Sequence, residues 1–413
     1  MSTELIGVLV LATIFVLASV TGLNMGVLAL AATFLLGVVW LGHPAKEVLA
    51  GFPADMFVVL VAVTFLFGIA RTNGTVDWLV HSAVRAAGHR VAVVPWLLFL
   101  LATLLCATGA ASPAAVAIVA PIGITFAVRN GMSPLYAGLM AVNGAAAGSF
   151  APTGILGGIV HSSLAANHLH VDGAALFGGT FGINLAAAFI TWLVFGRRRG
   201  TAPALAQEAD STAAPDPVLG AEQVATLVAM VLLVLGTTVL SLDTGLLALT
   251  LAAALAVVFR TTAQRAAKEI AWPVVLLVCG IVTYIALLQK LGVVDSLGET
   301  IAAVGVPLLA ALLICYVGGV VSAFASTTGI LGALMPLAAP FLASGSIPAT
   351  GLVIALASAS TIVDASPFST NGALVVANAP EPVRTQTYSG LLRWGAGVCV
   401  IAPGAAWFAF VVL

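Results

Sequence analysis

The sequence contains very little charge. Of its 413 residues, 61% are hydrophobic and only 7% are charged, whereas charged residues make up about a quarter of an ordinary soluble domain. So few charges cannot keep the surface of the protein in water, and the composition indicates that lipid is the main solvent. The net charge of −1 provides no field for binding a polyanion. We therefore predict a protein of the lipid bilayer with no nucleic-acid partner.

The sequence also lacks the motifs of metal, nucleotide and enzyme chemistry. The four cysteines lie singly inside apolar runs without a CxxC spacing, which is typical of small buried residues. His161, His168 and His170 have Asp172 as their one acidic neighbour, so solvated histidines are favoured over a metal site. No phosphate-binding loop is evident, and no nucleophile is paired with a base. We predict neither an enzyme nor a bound cofactor.

Two matching sets of long apolar runs dominate the chain. The first set lies within 1–196 and the second within 221–413. The intervening segment 197–220 contains three consecutive arginines followed by alanine, proline and acidic residues. Such a composition is typical of a solvated linker.

Proline spacing relates the two sets of runs. Pro121 and Pro336 lie 215 residues apart, and Pro152 and Pro367 are separated by the same interval. The shared order and the shared prolines predict a duplicated, all-α polytopic membrane protein. Each repeat is expected to contain about five spanning helices and one re-entrant hairpin.

Within each repeat we predict one hairpin and one interrupted helix. The hairpins are placed at 91–128 and 306–343, and the broken helices at 134–165 and 348–378. If each hairpin enters and leaves on the same side of the membrane, the two repeats have opposite orientations. The linker side then carries 12 of the 14 lysines and arginines, an asymmetry that marks the cytoplasm. We predict a bacterial-type inner-membrane protein with a cytoplasmic linker and both termini outside.

Small polar residues cluster with proline and glycine at four points of predicted membrane depth. Two clusters lie at the hairpin tips, 108–113 and 325–329, and two interrupt long helices, at 148–154 and 364–372. Backbone leaves the helix within a bilayer only where protein or a water-filled cavity satisfies it. At such points helix N-termini attract anions, and unwound carbonyl groups bind small cations. Helix packing is the alternative role for any single serine or threonine.

These clusters supply the candidate site residues. The candidate substrate-binding residues are Ser112, Pro113, Asn143, Thr153, Thr327, Thr328, Ser369, Thr370 and Asn371. The candidate cation-coupling residues, with Na⁺ as the metal considered, are Ala111, Ser112, Gly148, Ser149, Ser326, Thr327, Asp364 and Ser366.

Asp364 is the one acidic residue that we place well inside a spanning segment. A carboxylate at that depth is costly and usually functional, so we expect Asp364 to bind or sense a coupling cation, Na⁺ or H⁺. Capping of the following half-helix is an alternative role, and the two roles are compatible. Its equivalent in the first repeat is Ser149, so the two repeats are not chemically identical.

Several stretches resemble the N-terminal region of the MatC-type malonate/dicarboxylate carriers. They are Gly22–Leu30, Gly51–Asp55, Ala70–His81 and Gly109–Pro121, and the resemblance extends over about residues 1–165. The whole chain is similar to the wider ion-transporter superfamily, which includes the divalent anion–sodium symporters. This resemblance implies inverted repeats, two re-entrant hairpins, a homodimer and elevator-type movement of a transport domain against a scaffold.

The same resemblance implies a role for the hairpin tips. In that superfamily the tips carry a Ser-Asn-Thr signature that binds Na⁺ and the substrate carboxylate. The tips of this chain align with it as Ala111-Ser112-Pro113 and Ser326-Thr327-Thr328.

Together, these features predict a secondary active transporter of a small organic anion, with a dicarboxylate favoured, coupled to Na⁺ or H⁺. The alternative is a Na⁺/H⁺-type cation antiporter that uses Asp364.

Overall fold

Helices form almost all of the structure. The computed structural model describes residues 3–21, 23–79, 82, 92–165, 169–196, 219–293, 307–323, 327–343 and 347–413. These residues contain no strand, so the prediction of an all-α chain is confirmed for them. The predicted linker, apart from its last two residues, lies outside the described residues, and so does Ser326.

The first half of the chain contains nine helices with defined bounds among the described residues. They are α1 (Thr3–Thr21), α2 (Met25–Thr33, continued by a π-helix at Phe34–Trp40), α3 (Ala45–Leu49), α4 (Ala54–Thr72), α5 (Val94–Ala107), α6 (Ser112–Arg129), α7 (Pro134–Gly148), α8 (Ile155–Ala165) and α9 (Gly173–Phe195).

The second half begins again with a similar order of helices. They are α10 (Ala221–Thr238), α11 (Thr244–Val258), α12 (Arg260–Ala266), α13 (Trp272–Lys290), α14 (Pro307–Ser322), α15 (Thr327–Ala343), α16 (Ala349–Ile362), α17 (Thr370–Asn378) and α18 (Glu381–Trp407, continued by a π-helix at Phe408–Val412).

Helix starts recur at a constant interval between the halves. Helices α15, α16 and α17 begin 215 residues after α6, α7 and α8, respectively. In both halves a pair of helices joined by a short tip is followed by a helix that stops and restarts. Pro121 and Pro336 do not interrupt a helix, because they lie inside the continuous helices α6 and α15. Pro152 and Pro367 lie where a helix stops and restarts.

Seven described segments are long and apolar enough to cross a membrane. They are α4, α6, α9, α10, α13, the combined α16–α17 segment and α18 with its π-helical end. The first limbs of the two helix pairs are shorter, since α5 has 14 residues and the described α14 has 16. At 1.5 Å per residue these limbs are about 21 and 24 Å long, less than the ~30 Å of a hydrocarbon core. The chain is a multi-pass membrane protein.

Glycines allow each half to pack a helix tightly against the other half. A Cβ atom on Gly26 of α2 would lie 1.9 Å from the carbonyl oxygen of Leu276 in α13, and a Cβ on Gly280 of α13 would lie 2.0 Å from that of Gly26. In the reciprocal pair, α11 packs on α4. There a Cβ on Gly245 would lie 2.9 Å from Cγ2 of Val59. Small residues at such contacts let transmembrane helices approach backbone to backbone.

Helices from the two halves also pack directly against each other beside the tips and interruptions. Helix α6 packs against α17, while α8 packs against α15. The helix that follows each tip therefore packs on the helix that follows the interruption of the other half.

Candidate functional site

A cavity of about 740 Å³ lies where the two tips and the two helix interruptions meet. Its remaining wall comes from α1, the start of α2 and the start of α13. The sequence-predicted residues that line it are Ala111, Ser112, Pro113, Ser149, Thr327, Thr328, Asp364, Thr370 and Asn371.

Six described helix N-termini border this cavity, and four of them follow a tip or an interruption. Ser112, Ile155, Thr327 and Thr370 are the first residues of α6, α8, α15 and α17, and all four line the cavity. An α-helix leaves its first N–H groups without intrahelical partners, and its N-terminus carries about half a positive charge. The arrangement is therefore suited to an anion.

Asp364 lies in the interruption between α16 and α17. The chain forms a 3-10 turn at Val363–Ala365, and Asp364 is 8% exposed at the cavity wall. Among the described residues that line the cavity, Asp364 is the one with an ionisable side chain. A nearly buried carboxylate without a cationic side chain beside it is costly unless a bound cation or a proton neutralises it.

A chain of hydroxyl groups leads to this carboxylate. Thr327 Oγ1 donates a hydrogen bond to Asp364 Oδ1 at 2.5 Å. Thr327 Oγ1 also lies 2.8 Å from Ser322 Oγ. Because the threonine has one hydroxyl proton, Ser322 is the donor in that second contact. Hydrogen bonds thus join the end of α14, the start of α15 and the interruption between α16 and α17.

Ser369, rather than Asp364, caps helix α17. Ser369 Oγ accepts a hydrogen bond from the backbone N–H of Gly372 at 3.1 Å, and it donates to the carbonyl oxygens of Asp364 and Ser366. The carboxylate of Asp364 is therefore not used for capping this helix. Ser366 Oγ in turn accepts from the N–H of Phe368, and neither Ser366 nor Ser369 lines the cavity.

A side-chain hydrogen bond connects the two halves of the chain at the cavity. Asn371 Nδ2, on α17, donates to Ser112 Oγ at the start of α6 over 2.8 Å. Asn371 is 2% exposed, and its Oδ1 has no hydrogen-bond partner among the described residues. Since Ser112 accepts this bond, its own hydroxyl proton is available to a ligand in the cavity.

The corresponding residues of the first interruption serve partly as structural contacts. Ser149 lines the cavity but donates to the Ala145 carbonyl oxygen at 2.7 Å. Thr153 donates to the carbonyl oxygen of Ala107, which fixes the interruption to the first tip. Gly148 permits close packing, because a Cβ there would lie 2.1 Å from the carbonyl oxygen of Thr103. Gly148 and Thr153 do not line the cavity.

Asn143 lies away from the cavity. It is 2% exposed within α7, and its Nδ2 lies 3.5 Å from Thr191 Oγ1 on α9. Of the histidine cluster, His161 Nδ1 lies 2.8 Å from the carbonyl oxygen of Gly157, and His168 lies outside the described residues. Groups of three or more histidine, cysteine, aspartate or glutamate side chains do not occur together among the described residues.

Sequence reasoning missed one wall of the cavity, formed around Asn24. This residue caps α2 by accepting from the N–H of Gly26 at 2.9 Å, and its Nδ2 donates to the carbonyl oxygen of Pro273 at 2.8 Å. The signal was an asparagine between two apolar runs, at the N-cap position of the second run. Its contact with Pro273 spans 249 residues and has no local sequence signal.

The chain resembles known carriers in two separate comparisons. Residues 1–149 match the family described as the N-terminus of the dicarboxylate carrier protein MatC, which confirms the resemblance over that part of the chain. No curated protein sequence shows significant similarity to the chain. The crystal structure of the YdaH transporter of Alcanivorax borkumensis has a similar fold, with a TM-score of 0.61 and 15% sequence identity over 98% of each chain. At that identity the likeness concerns the fold alone.

Proposed function

We propose that this protein is a secondary active transporter of a small organic carboxylate, with a dicarboxylate favoured, coupled to Na⁺ or H⁺. The observation that carries the proposal is the central cavity, where helix N-termini and one nearly buried carboxylate meet. The match of residues 1–149 to a dicarboxylate carrier family supports the same substrate class.

The substrate carboxylates bind at the helix N-termini and the hydroxyl groups beside them. Ser112, Thr328 and Thr370 border the cavity and offer hydroxyl donors, while the first backbone N–H groups of their helices supply further donors. No lysine, arginine or histidine is found among the described lining residues. The anion is therefore held by hydrogen bonds and helix dipoles, which suits small carboxylates better than large polyanions.

The cation binds beside Asp364, with Thr327 Oγ1 and nearby unwound carbonyl groups as further oxygen ligands. A cation or proton there removes the negative charge that would otherwise repel the substrate. The loaded site then carries one negative charge less than the site with substrate alone, and the helix dipoles offset the charge of the substrate itself. This difference in charge couples the movement of the cation to the movement of the substrate.

The repeats supply the moving parts in this proposal. The two halves are inverted, the helix pairs α5–α6 and α14–α15 are re-entrant hairpins, and the hairpins with the interrupted helices form a transport domain. That domain moves as an elevator against a scaffold that includes α4 and α13, within a homodimer. The short limb α5 supports the re-entrant assignment of the first pair, because it lacks the length of a full crossing. The linker lies in the cytoplasm and both termini lie outside, in a bacterial-type inner membrane.

Uptake by the purified full-length protein in liposomes tests the proposal. Labelled malonate or succinate should accumulate when an inward Na⁺ or H⁺ gradient is imposed, and not when K⁺ replaces the coupling ion. Thr328→Val should weaken anion binding about tenfold or more, because a hydrogen bond to a charged group is lost. Its control is Thr250→Val, since the exposed Thr250 hydroxyl bonds only to its own helix, at the Leu246 carbonyl oxygen.

Two results would overturn the proposal. Exchange of Na⁺ for H⁺ in the absence of any organic anion would show the antiporter alternative, for which Asp364 alone would be sufficient. Equal effects of Thr328→Val and Thr250→Val on uptake would show that the cavity is not the anion site.

A further inference from the structure

Oxygen atoms cluster around the Thr327 hydroxyl in the second half. Besides its bonds to Asp364 Oδ1 and Ser322 Oγ, Thr327 Oγ1 lies 3.4 Å from the carbonyl oxygen of Ser360. Ser360 is fully buried, and its own Oγ has no hydrogen-bond partner among the described residues. A Cβ on Gly318, one turn before Ser322 in α14, would lie 3.0 Å from that Oγ. The Ser360 hydroxyl therefore lies against the helix that carries Ser322.

The first half has alanine where this cluster has serine. Ala107 and Ala145 precede Ser322 and Ser360 by the same 215 residues that relate the helix starts of the two halves. In place of the carboxylate stands Ser149, whose hydroxyl donates to the Ala145 carbonyl oxygen of its own helix. At these positions the first half therefore has neither the carboxylate nor the two serine oxygens.

A neutral hydrogen bond links the tip to the interruption in the first half. Thr153 donates its hydroxyl to the carbonyl oxygen of Ala107, the last residue of α5 before the first tip. In the second half the corresponding link runs from Thr327 to the carboxylate of Asp364. A bond between a hydroxyl and a carbonyl group is complete without an ion, whereas a nearly buried carboxylate requires a compensating charge.

We infer that one cation accompanies each substrate molecule, that it is held in the second half by Ser322, Thr327, Ser360 and Asp364, and that the first half binds none. This inference rests on the proposed function and specifies its stoichiometry and two further ligands. A hard cation takes several oxygen ligands, and without a carboxylate it would itself be an uncompensated buried charge. Of the two equivalent sets of positions, the second alone meets both requirements. Ser322 and Ser360 do not line the cavity, so the cation and the substrate occupy different sides of the second tip.

The dependence of accumulation on the ion gradient measures this stoichiometry. The full-length protein in liposomes takes up labelled malonate while the membrane potential is held at zero, and the accumulation is read at steady state. With one cation, a tenfold gradient of the coupling ion should concentrate malonate about tenfold, and with two cations about a hundredfold, because each cation adds the free energy of one gradient. The same measurement applies to a Na⁺ gradient and to a pH gradient.

Substitutions that give the second half the alanines of the first half test the ligands. Ser322→Ala and Ser360→Ala should each change the concentration of coupling ion for half-maximal uptake about fivefold or more, since each removes an oxygen near a charged group. The loss of a ligand raises this concentration for Na⁺, whereas weaker stabilisation of the charged carboxylate lowers it for H⁺. The malonate concentration for half-maximal uptake at saturating ion should stay within about twofold, because neither serine lines the cavity.

Thr361→Ala is the matched control. Thr361 follows Ser360 and also has alanine, Ala146, at the equivalent position of the first half. Its hydroxyl bonds to the carbonyl oxygens of Ala357 and Ser358 in its own helix. This variant should keep the ion and malonate requirements of the unmodified protein.

Accumulation of about a hundredfold in a tenfold gradient, or an unchanged ion requirement in both serine variants, would overturn the inference and leave the proposed function intact. The accumulation measurement uses the unmodified chain, so it decides the stoichiometry even where a serine variant does not fold. Absence of malonate uptake under every ion gradient would overturn both the inference and the proposed function.

Discussion

Replacement of Asp364 by asparagine is the most direct test of cation coupling. The two side chains have nearly the same shape, so Thr327 can still donate its hydroxyl to the amide oxygen at the position where it now meets Oδ1 at 2.5 Å. The substitution thus removes a charge while keeping the packing. Because the site is 8% exposed, a neutral amide also avoids the cost of burying a carboxylate. We expect the thermal midpoint of Asp364→Asn to be unchanged or higher.

The expected loss of cation binding is large. A carboxylate and a monovalent cation about 2.5 Å apart attract each other by about 7 kcal/mol at an effective dielectric constant of about 20. Desolvation of both ions offsets much of this attraction. If only a fifth of it remains, the loss of ~1.4 kcal/mol corresponds to a tenfold change in affinity. We therefore expect the Na⁺ concentration for half-maximal uptake to rise at least tenfold, or the dependence on a pH gradient to vanish if H⁺ is the coupling ion.

The assay is malonate uptake by reconstituted protein as a function of Na⁺ concentration and of the imposed pH gradient. Asp172→Asn is the matched control, because Asp172 caps α9 by accepting from the N–H of Ala174 at 3.0 Å and asparagine caps equally well. That variant should transport like the unmodified protein. An unchanged ion response in Asp364→Asn, with normal uptake, would refute the coupling role of the carboxylate.

Four further substitutions test the site and the packing around it. Thr327→Val deprives the Asp364 carboxylate of its donor, and it should lower stability by about 1–3 kcal/mol and weaken the cation response, as measured by thermal unfolding and by uptake. Gly280→Ala places a Cβ 2.0 Å from the backbone of α2 and should abolish correct assembly or lower the thermal midpoint sharply. Gly182→Ala, where a Cβ meets nothing within 4 Å, should be neutral or stabilising by up to about 1 kcal/mol. Asn143→Ala removes a 3.5 Å contact outside the cavity, so malonate affinity should stay within about twofold in a binding assay.

The sequence predicted the irregular segments better than it predicted their partners. Pro152 and Pro367, with small polar neighbours, marked the places where α7 gives way to α8 and α16 to α17. The local chemistry is sufficient there, because proline removes a donor and disfavours the helical conformation of the preceding residue. Pro121 and Pro336 lie in continuous helices, so a proline alone did not identify an interruption.

Long-range contacts set the limit of what the sequence could reveal. The bond between Asn371 and Ser112 joins residues 259 positions apart, and the Asn24 wall depends on a contact of similar separation. For Asn143 the sequence predicted a cavity position that the structure does not show. An amide one or two turns before an interruption resembles a cavity residue in the sequence. The side of α7 that faces the cavity is decided by how that helix packs on its neighbours, and this packing turns Asn143 toward Thr191.

The unequal halves suggest how charge is balanced during the proposed transport. Helix N-termini, each with about half a positive charge, surround the cavity and offset the charge of an anionic substrate. Asp364 contributes one further negative charge, which a single bound cation or proton cancels. The other half has Ser149 at the equivalent position and needs no such partner. The proposed coupling therefore assigns the cation to one of two otherwise related halves, because the Asp364 carboxylate adds negative charge to a site that already holds an anion until a cation or proton binds.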